Sequence, residues 1–585
     1  MDLATWTLWV SRSLLLTCVI AFTWGCVVAA EECVRPVDVC FFDNDRLLLV
    51  ACQQSGEVLA LDAVNGEVRS RLPLGGRLVG VQRLPNGRAW AIDQSGNRLI
   101  EVGIADGNIT ILNTVANVIS PVEVAAGKRG ELLVSGLWSR KVYCITEPMD
   151  GGNSKLVWAC DLEFNPHTVR LLEPENIVLA VDAFGSQIAY LDASTGKHLR
   201  QMEFFGHRLR GMVDDPDGQR LIVSHQMLNS AAQSSTNDIH WGMMVSNDLR
   251  WLDRTRILAA DEATFYKDGH IDPIGTVGNG GADPMDLVCT KDGIVIVPLG
   301  GVNEVAIGHE EFFELDRLPV GINPVAVDVR GDGRVAWVVN RLDDSLTQID
   351  VVQRKVMQTV ELSKDRQLSS VDLGERLFHD ASISHDGWMS CASCHPGGHA
   401  VNEMADNLSD GSYNSPKRVL SLLGRSKTAP FGWVGSDATL AGQLRRSVRT
   451  TMQGLAPLRD EQVVHLTAFL DSLSSPPSVL DLQDPSVAEA IQRGDAIFRR
   501  ESCNDCHAGR EFTSSQLYDV GLKDEVGNER FNPPSLLGVG QRGPRYFHDL
   551  RAPSLRAVFV EFKHALDKDL ADAELDDLLM FLRSL

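Results

Sequence analysis

Short stretches of alternating hydrophobic and polar residues fill the chain from about residue 36 to residue 360. Such alternation is typical of β-strands with one buried face, and the turn residues between the stretches indicate hairpins. Similar phrases recur along this part: SGEVLALDAVNGEV (55–68), GNRLIEVGIADGNI (96–109), GSQIAYLDASTGKHL (185–199) and DSLTQIDVVQRKV (344–356). This part of the chain is therefore predicted to be a repetitive β-structure.

The repeats have a regular spacing. Phrases that open a repeat begin at Pro36, Leu78, Pro121, Pro166, Leu209, Pro284 and Pro324. A period of roughly 42 residues with about four short strands per unit is typical of a β-propeller blade, and all intervals but the one from Leu209 to Pro284 fit it. Seven starts predict a seven-bladed β-propeller over residues 31–362, and its phrases resemble those of YVTN or quinoprotein-like propellers.

After residue 362 the pattern changes to helical periodicity. In ATLAGQLRRSVRTTMQG (438–454), apolar residues recur every four positions at Leu440, Leu444, Val448 and Met452. A Pro- and Ser-rich stretch, SLSSPPSVLDLQDPS (472–486), divides the helical region. We predict domains at 363–476 and 487–585, joined by a linker at 477–486.

Each helical domain carries one Cys-x-x-Cys-His motif, within SCASCHPGGH (390–399) and CNDCH (503–507). At this chain's own composition about 0.006 such motifs are expected by chance. Cysteines at i and i+3 share a helix face and can form thioethers with haem, and the following His can coordinate the iron. The motifs predict two covalent c-type haems, held by Cys391, Cys394, His395, Cys503, Cys506 and His507.

Two other chemistries use similar motifs. A zinc site needs four ligands in one closed cluster, whereas these motifs begin at Cys391 and Cys503, in separate helical segments. A thioredoxin-like dithiol needs a βαβ context, which the sequence lacks. Haem attachment is therefore the preferred interpretation.

The offset between the two motifs recurs elsewhere in the region. The same offset relates DEQVVHLTAFLDSL (460–473) to DAELDDLLMFLRSL (572–585), while SLLG at 421 and 535 and the pair GERLF (374–378) and GDAIF (494–498) show similar offsets. The pattern predicts two duplicated all-α class I cytochrome c domains with one haem each. The whole chain is thus expected to be a multidomain β and α protein.

The duplication suggests a second axial ligand for each iron. Met452 precedes the segment 460–473 by the same distance in sequence as His564 precedes 572–585, so their offset equals that of the two motifs. Met and His are both common haem ligands. The alternative for Met452 is a core residue at the end of its apolar stripe, since Met often fills gaps in cores.

The long interval between Leu209 and Pro284 contains one blade and an insertion of roughly 30 residues that includes SHQMLNSAAQSSTNDIHWGMM (224–244). Long insertions of this kind are often functional. We therefore treat His225, His240 and Trp241 as a candidate surface that meets a haem or a partner, the alternative being an ordinary loop.

The segments LGERLFHDASISHDGWMSCASCHPGGH, YNSP, TAPFGWVG and SLLGVGQRGPRYFHDLRAPSL resemble the bacterial di-haem cytochrome c peroxidase superfamily, which includes tryptophylquinone-forming enzymes. The resemblance covers about 370–585. It implies that Trp433 relays electrons between the haems, that Gln443 is an active-site residue, and that Asn414 helps to hold an interdomain calcium.

The chain departs from that family in its axial positions. The distal Met of the family corresponds to a position near Phe562, and His548 and His564 are the nearby substitutes. The family also needs a Glu for peroxide cleavage. Its position falls near Met452 and Gln453, where this chain has no acidic residue. The family's second calcium segment is poorly kept at RGPRY. If Met452 and His564 close both irons, peroxide has no open coordination site, which favours electron transfer.

Three functions follow as hypotheses. The first is one-electron transfer with a redox protein partner such as a small cytochrome. The second is a di-haem peroxidase that reduces hydrogen peroxide, or a quinone-cofactor maturase. The third is a propeller-based binding protein in which the haems sense redox state.

Composition and the N-terminus bear on location. The apolar stretch that ends at VVAA predicts a signal peptide (1–30) cleaved near Ala30 and a periplasmic or otherwise extracytoplasmic protein. An uncleaved anchor is the alternative, with a lipoprotein at Cys26 less favoured, and no later membrane span is expected.

The formal charge of −23 disfavours binding to nucleic acid and favours basic protein partners. An exported chain can form disulfides, and Cys144–Cys160 is the expected pair.

Overall fold

The computed structural model describes residues 33–147, 154–309 and 314–585. The predicted signal peptide, its cleavage near Ala30 and the alternatives of an anchor or a lipoprotein lie outside these residues. Within the described ranges no helix is both long enough and apolar enough to cross a membrane.

The prediction of a seven-bladed propeller is confirmed. Seven four-stranded antiparallel sheets follow one another, each built from four consecutive strands. The first three blades contain β1 (Pro36–Phe42), β2 (Leu47–Cys52), β3 (Glu57–Asp62), β4 (Val68–Pro73), β5 (Leu78–Arg83), β6 (Ala89–Asp93), β7 (Arg98–Ala105), β8 (Asn108–Ala116), β9 (Pro121–Ala126), β10 (Glu131–Gly136), β11 (Lys141–Thr146) and β12 (Leu156–Asp161). The other four contain β13 (Pro166–Leu172), β14 (Ile177–Asp182), β15 (Gln187–Asp192), β16 (His198–Glu203), β17 (Met212–Asp214), β18 (Arg220–Leu228), β19 (Val245–Asp253), β20 (His270–Pro273), β21 (Val288–Cys289), β22 (Ile294–Leu299), β23 (Glu304–His309), β24 (Glu314–Pro319), β25 (Pro324–Val329), β26 (Val335–Asn340), β27 (Ser345–Asp350) and β28 (Lys355–Glu361).

Neighbouring blades are joined through the first strand of each sheet. The carboxylate of Asp38 in β1 accepts the backbone N–H of Val81 in β5 over 2.9 Å. The carboxylate of Asp328 in β25 accepts the N–H of Phe41 over 2.7 Å, which links the last blade to the first. Because every blade is made of consecutive strands, the ring closes through such side-chain contacts rather than by exchange of a strand.

The expected Cys144–Cys160 disulfide is wrong. In the β11–β12 ladder Cys144 lies opposite Trp158, and Cys160 lies opposite Val142, so the two cysteines are out of register. The structure instead joins Cys33 to Cys52, across a separation of 19 residues.

The extra residues of the fifth blade fall in two loops rather than one. The first lies between β18 and β19 and contains α1 (Thr236–His240); the second lies between β19 and β20 and contains α2 (Arg254–Ala259). His225 belongs to β18 and is fully buried, so its predicted place on a surface is wrong. Its ring packs edge-on against Phe204, and burial lowers the pKa of His225 to about 3.

The region after the propeller is less helical than the sequence predicts. Its helices are α3 (Ser370–Phe378), α4 (Cys391–Cys394), α5 (Leu440–Arg446), α6 (Asp460–Ser472), α7 (Pro485–Arg500), α8 (Cys503–Cys506), α9 (Leu555–Val560) and α10 (Asp572–Ser584). Two small sheets pair β29 (Met404–Ala405) with β30 (Lys417–Arg418) and β31 (Tyr518–Asp519) with β32 (Arg530–Phe531). The expectation of purely α domains is thus not met, since long loops and these short strands connect the helices.

Two helix pairs in this region each pack closely at a glycine. Helix α3 packs on α6, and α7 packs on α10. A Cβ at Gly374 would lie 2.0 Å from the carbonyl oxygen of His465, and one at Gly494 would lie 2.1 Å from that of Asp577. Only glycine allows either helix to approach its partner this closely.

The propeller and the first helical unit share one hydrophobic core. Residues from the first loop of blade five and the strand after it are buried together with residues of the unit: Ala232, Ile239, Met244 and Val245 with Phe378, Trp388, Met389, Val448 and Met452. The side-chain amide of Gln453 also donates to the carbonyl oxygen of Ser234 over 2.7 Å. The predicted insertion therefore does meet the first motif-bearing unit.

Candidate haem sites

The first Cys-x-x-Cys-His motif borders a cavity of about 260 Å³, which Cys391, Cys394 and His395 all line. The Nδ1 atom of His395 lies 3.3 Å from the carbonyl oxygen of His399. Because a carbonyl only accepts, Nδ1 carries the proton and Nε2 keeps its lone pair for a metal. Burial lowers the pKa of His395 to about 4, which favours the neutral imidazole that iron binds.

Buried propeller residues contact the helix that carries this motif. Asp283 is fully buried and accepts hydrogen bonds from the hydroxyls of Ser390 and Ser393, the latter over 2.7 Å. Arg208, also buried, neutralises the same carboxylate over 2.5 Å. Sequence analysis missed Asp283 and Arg208, since both lie far ahead of the motif in the chain and in a different fold.

The same cavity is also lined by predicted site residues outside the motif. Met452 is 4% exposed and lines the cavity, as does Met389, which sequence analysis did not consider. Gln443 also lines it, and its amide nitrogen donates to Ser447 Oγ over 3.1 Å. The Oε1 atom of Gln443 is buried without a partner among the described residues.

The second motif lines a separate cavity of about 170 Å³, together with the predicted ligand His564. The Nδ1 atom of His507 lies 3.1 Å from the carbonyl oxygen of Phe512 and so donates to it, as in the first site. Burial, together with the nearby His564, lowers the pKa of His507 to about 4. His548 lines this cavity too, stacked on Phe531 at 4.5 Å between ring centres.

Trp433 lines both cavities. Its indole N–H donates to the carbonyl oxygen of Arg418 over 2.8 Å, and its own carbonyl oxygen accepts the N–H of Asn532 over 2.8 Å. Trp433 is thus bonded to both halves of the region, through its indole to the first and through its backbone to the second.

Asn414, the expected calcium ligand, lies against the propeller. Its amide oxygen accepts from the side chain of Gln233 over 3.1 Å. Three residues further on, at the start of β30, the buried ammonium group of Lys417 contacts Asp410 at 2.6 Å and Asp524 at 3.0 Å. The positive charge of Lys417 thus links the two halves of the helical region near Asn414.

The donor sets fit haem. Each cavity presents two cysteines, one imidazole whose Nδ1 is already hydrogen-bonded, and a largely apolar wall. In the first cavity Arg425 is 8% exposed, and its Nη1 has no partner among the described residues. A buried guanidinium that forms no salt bridge within the described residues suits a carboxylate such as a haem propionate.

Comparison with known proteins agrees with this chemistry. Residues 369–474 match the family model "Di-haem cytochrome c peroxidase". The chain is 25% identical over 283 residues to the methylamine utilization protein MauG of Methylophilus methylotrophus, covering 38% of this chain and 84% of that protein. It is 22% identical over 309 residues to the cytochrome c peroxidase Ccp of Escherichia coli, covering 43% and 66%.

Among solved structures, a chain of Kuenenia stuttgartiensis hydrazine synthase is similar over 56% of this chain and 99% of that one, with a TM-score of 0.46 and 15% identity. The residues matched by the family model include the first Cys-x-x-Cys-His motif. The C-terminal region of this chain is thus di-haem cytochrome c peroxidase-like, and it follows a seven-bladed β-propeller.

Proposed function

We propose that the protein is an exported di-haem c-type cytochrome that transfers electrons one at a time through two covalently bound haems. The observation that carries the proposal is the matched lining of the two cavities. One contains His395 and Met452, and the other contains His507 and His564. A second iron-competent side chain in each site favours six-coordinate haems, which suit electron transfer rather than binding of a substrate.

The residues of the chain have distinct tasks in this proposal. The haems, once attached, supply the reversible one-electron chemistry. Hydrogen bonds at Nδ1 orient His395 and His507, and the Asp283 carboxylate fixes the first motif helix. Trp433, shared by both cavities, is the proposed relay between them.

We divide the region into duplicated cytochrome c domains at 363–476 and 487–585 with a linker at 477–486. The two glycine-mediated helix crossings, at Gly374 and Gly494, support the duplication. Within the first domain, we retain Asn414 as the proposed calcium ligand.

The propeller is the proposed docking domain for a redox partner. A net charge of −23 favours a basic electron carrier, because opposite charges speed the encounter. The Cys33–Cys52 disulfide supports an oxidising compartment outside the cytoplasm, where such bonds persist.

The resting protein provides the direct test. Optical and EPR spectra of the oxidised holoprotein should show two low-spin haems, with no five-coordinate high-spin ferric signal. A high-spin haem that reacts with peroxide would contradict the proposal.

That outcome would favour the second candidate, a di-haem peroxidase or quinone-cofactor maturase. The observation for it is Gln443, whose side-chain oxygen is buried in the first cavity without a partner among the described residues. A polar group in that position suits a small bound ligand. Stopped-flow mixing with hydrogen peroxide separates the two, because a closed first haem should not react on the time scale of turnover.

A further inference from the structure

Two histidines and an aspartate converge where the propeller meets the first motif-bearing domain. His240 Nδ1 lies 2.6 Å from Asp386 Oδ2, and His385 Nε2 lies 3.3 Å from the same oxygen. One potential ligand atom from each of the three side chains lies within 4.8 Å of the others. None of the three lines either haem cavity.

The three residues come from two parts of the fold. His240 ends α1 in the first loop of blade five, whereas His385 and Asp386 lie in a 3₁₀ turn that precedes Cys391. Asp386 has a left-handed backbone (φ 55°), and its carbonyl oxygen accepts the N–H of Gly280 over 2.7 Å. A second propeller segment thus holds the backbone of Asp386 beside His240.

The donor set has the composition of a transition-metal site. Two imidazoles and one carboxylate bind zinc and other first-row divalent ions, and three protein ligands leave a position for water. Tetrahedral zinc with bonds of ~2.0–2.1 Å places its ligand atoms ~3.3 Å apart, which is the His385–Asp386 distance seen here. The shorter His240–Asp386 pair needs to open by less than about 1 Å, which side-chain rotation supplies.

The cluster is open to solvent on one side. The side chain of His240 is 42% exposed, while those of Asp386 and His385 are 21% and 14% exposed. An ion can therefore enter without unfolding, and the exposed side offers room for a water ligand.

We propose that His240, His385 and Asp386 form a binding site for a divalent first-row metal ion, with zinc as the best-suited probe. The ion joins the propeller loop to the segment that leads into the first haem motif. It supplies a cross-link between the two folds that is independent of the haems.

Zinc binding to the holoprotein tests the proposal, since zinc is distinguished from haem iron by elemental analysis. After chelator treatment and equilibrium dialysis against micromolar Zn²⁺, the wild-type protein should retain one zinc ion per chain. His240→Gln and His385→Gln keep amides that can still reach Asp386 but lack an imidazole. Each should weaken zinc binding by more than the roughly 10–100-fold produced by loss of an outer-shell partner.

His198→Gln is the matched control, because it removes an exposed imidazole from β16 and should leave zinc binding unchanged. A zinc K-edge absorption spectrum of the wild-type protein needs no variant and should show two imidazole ligands at ~2.0 Å. Absence of bound zinc, zinc retained fully by both variants, or a spectrum without imidazole scattering would overturn the proposal.

Discussion

The backbone N–H of His385 donates to the carbonyl oxygen of Met452 over 2.9 Å. This bond ties the segment before the first haem motif to the proposed distal ligand, and it does not involve the side chain of Met452. Substitutions at position 452 therefore change the available ligand while the backbone on that side of the cavity stays attached.

Met452→Leu should open the first haem. The change preserves volume, so the expected loss of stability is below about 1.5 kcal/mol, but it removes the sulfur that iron binds. EPR of the oxidised protein should gain a high-spin ferric signal, and reaction with peroxide should become faster. Met389→Leu is the control in the same cavity; if that variant alone becomes high-spin, Met389 is the ligand.

His564→Met should raise the reduction potential of the second haem, because Met ligation raises the potential of haem relative to imidazole. A spectroelectrochemical titration measures it. His548→Phe keeps the aromatic contact with Phe531 and should leave the potential nearly unchanged. The assignment fails if the two variants show the reverse.

Trp433→Phe should slow electron exchange between the haems while leaving both optical spectra unchanged, since the indole lines both cavities. The lost hydrogen bond to Arg418 should cost about 1 kcal/mol of stability. Flash reduction followed by absorbance at the two haems gives the rate. Trp241→Phe alters a 56% exposed indole and serves as the control; equal rates in both variants would exclude Trp433 as the relay.

The propeller should lose stability as pH rises through neutrality. Burial, together with the negative charges of Glu123 and Asp328, raises the pKa of Asp286 to about 7. Asp38 and Arg210 also face this group, and the pKa of Asp38 is raised as well. Because the folded pKa lies above the unfolded value of about 3.9, the stabilisation present below pH 4 disappears as pH rises through 7.

Asp286→Asn should flatten this dependence between pH 5 and 8 and stabilise the propeller at pH 8 by an amount on the order of 1–4 kcal/mol. Hydrogen exchange of the propeller strands, measured by mass spectrometry, gives the free energy of opening. Asp332→Asn is the control, since hydrogen bonding to Arg330 lowers the pKa of that exposed carboxyl below the tested range. An unchanged pH profile in Asp286→Asn would contradict the assignment.

Breaking the Cys33–Cys52 disulfide should destabilise the closure of the propeller ring. The bond closes a loop of 19 residues, which corresponds to about 3 kcal/mol. The N–H of Cys33 also donates to the carbonyl oxygen of Leu362 beyond the last blade, so the disulfide anchors that contact. Dithiothreitol should lower the thermal midpoint of the wild type and of Cys144→Ala, but not that of a Cys33→Ala/Cys52→Ala variant. Equal sensitivity in all three would show that the disulfide has no such role.

The repeat pattern predicted the propeller because every blade depends on the same local signals. Repeat starts at Pro36, Pro121, Pro166 and Pro324 are the first residues of first strands in the structure. The resemblance to a di-haem family could likewise be predicted, since Cys-x-x-Cys-His is a local motif. The roles of Met452 and His564 stay predictions, supported by their matched spacing in the sequence and by their places in the linings of the two cavities.

What sequence could not provide depends on register and on contacts between distant segments. Cys144 and Cys160 fail to pair because the β11–β12 register sets them against other residues. No local pattern links Asp283 to the serines of the first motif. His225 looked like part of a surface loop only because the length of β18 could not be predicted.

The shared core has a consequence for the order of assembly. Ile239 and Met244 precede Cys391 in the chain, yet they are buried against the helices that surround the first motif. Because a polypeptide is synthesised from its N-terminus, these core residues of the first haem domain are made before the haem-binding cysteines. A separately expressed C-terminal half would expose that face to water, because the propeller supplies part of the hydrophobic core of the first haem domain.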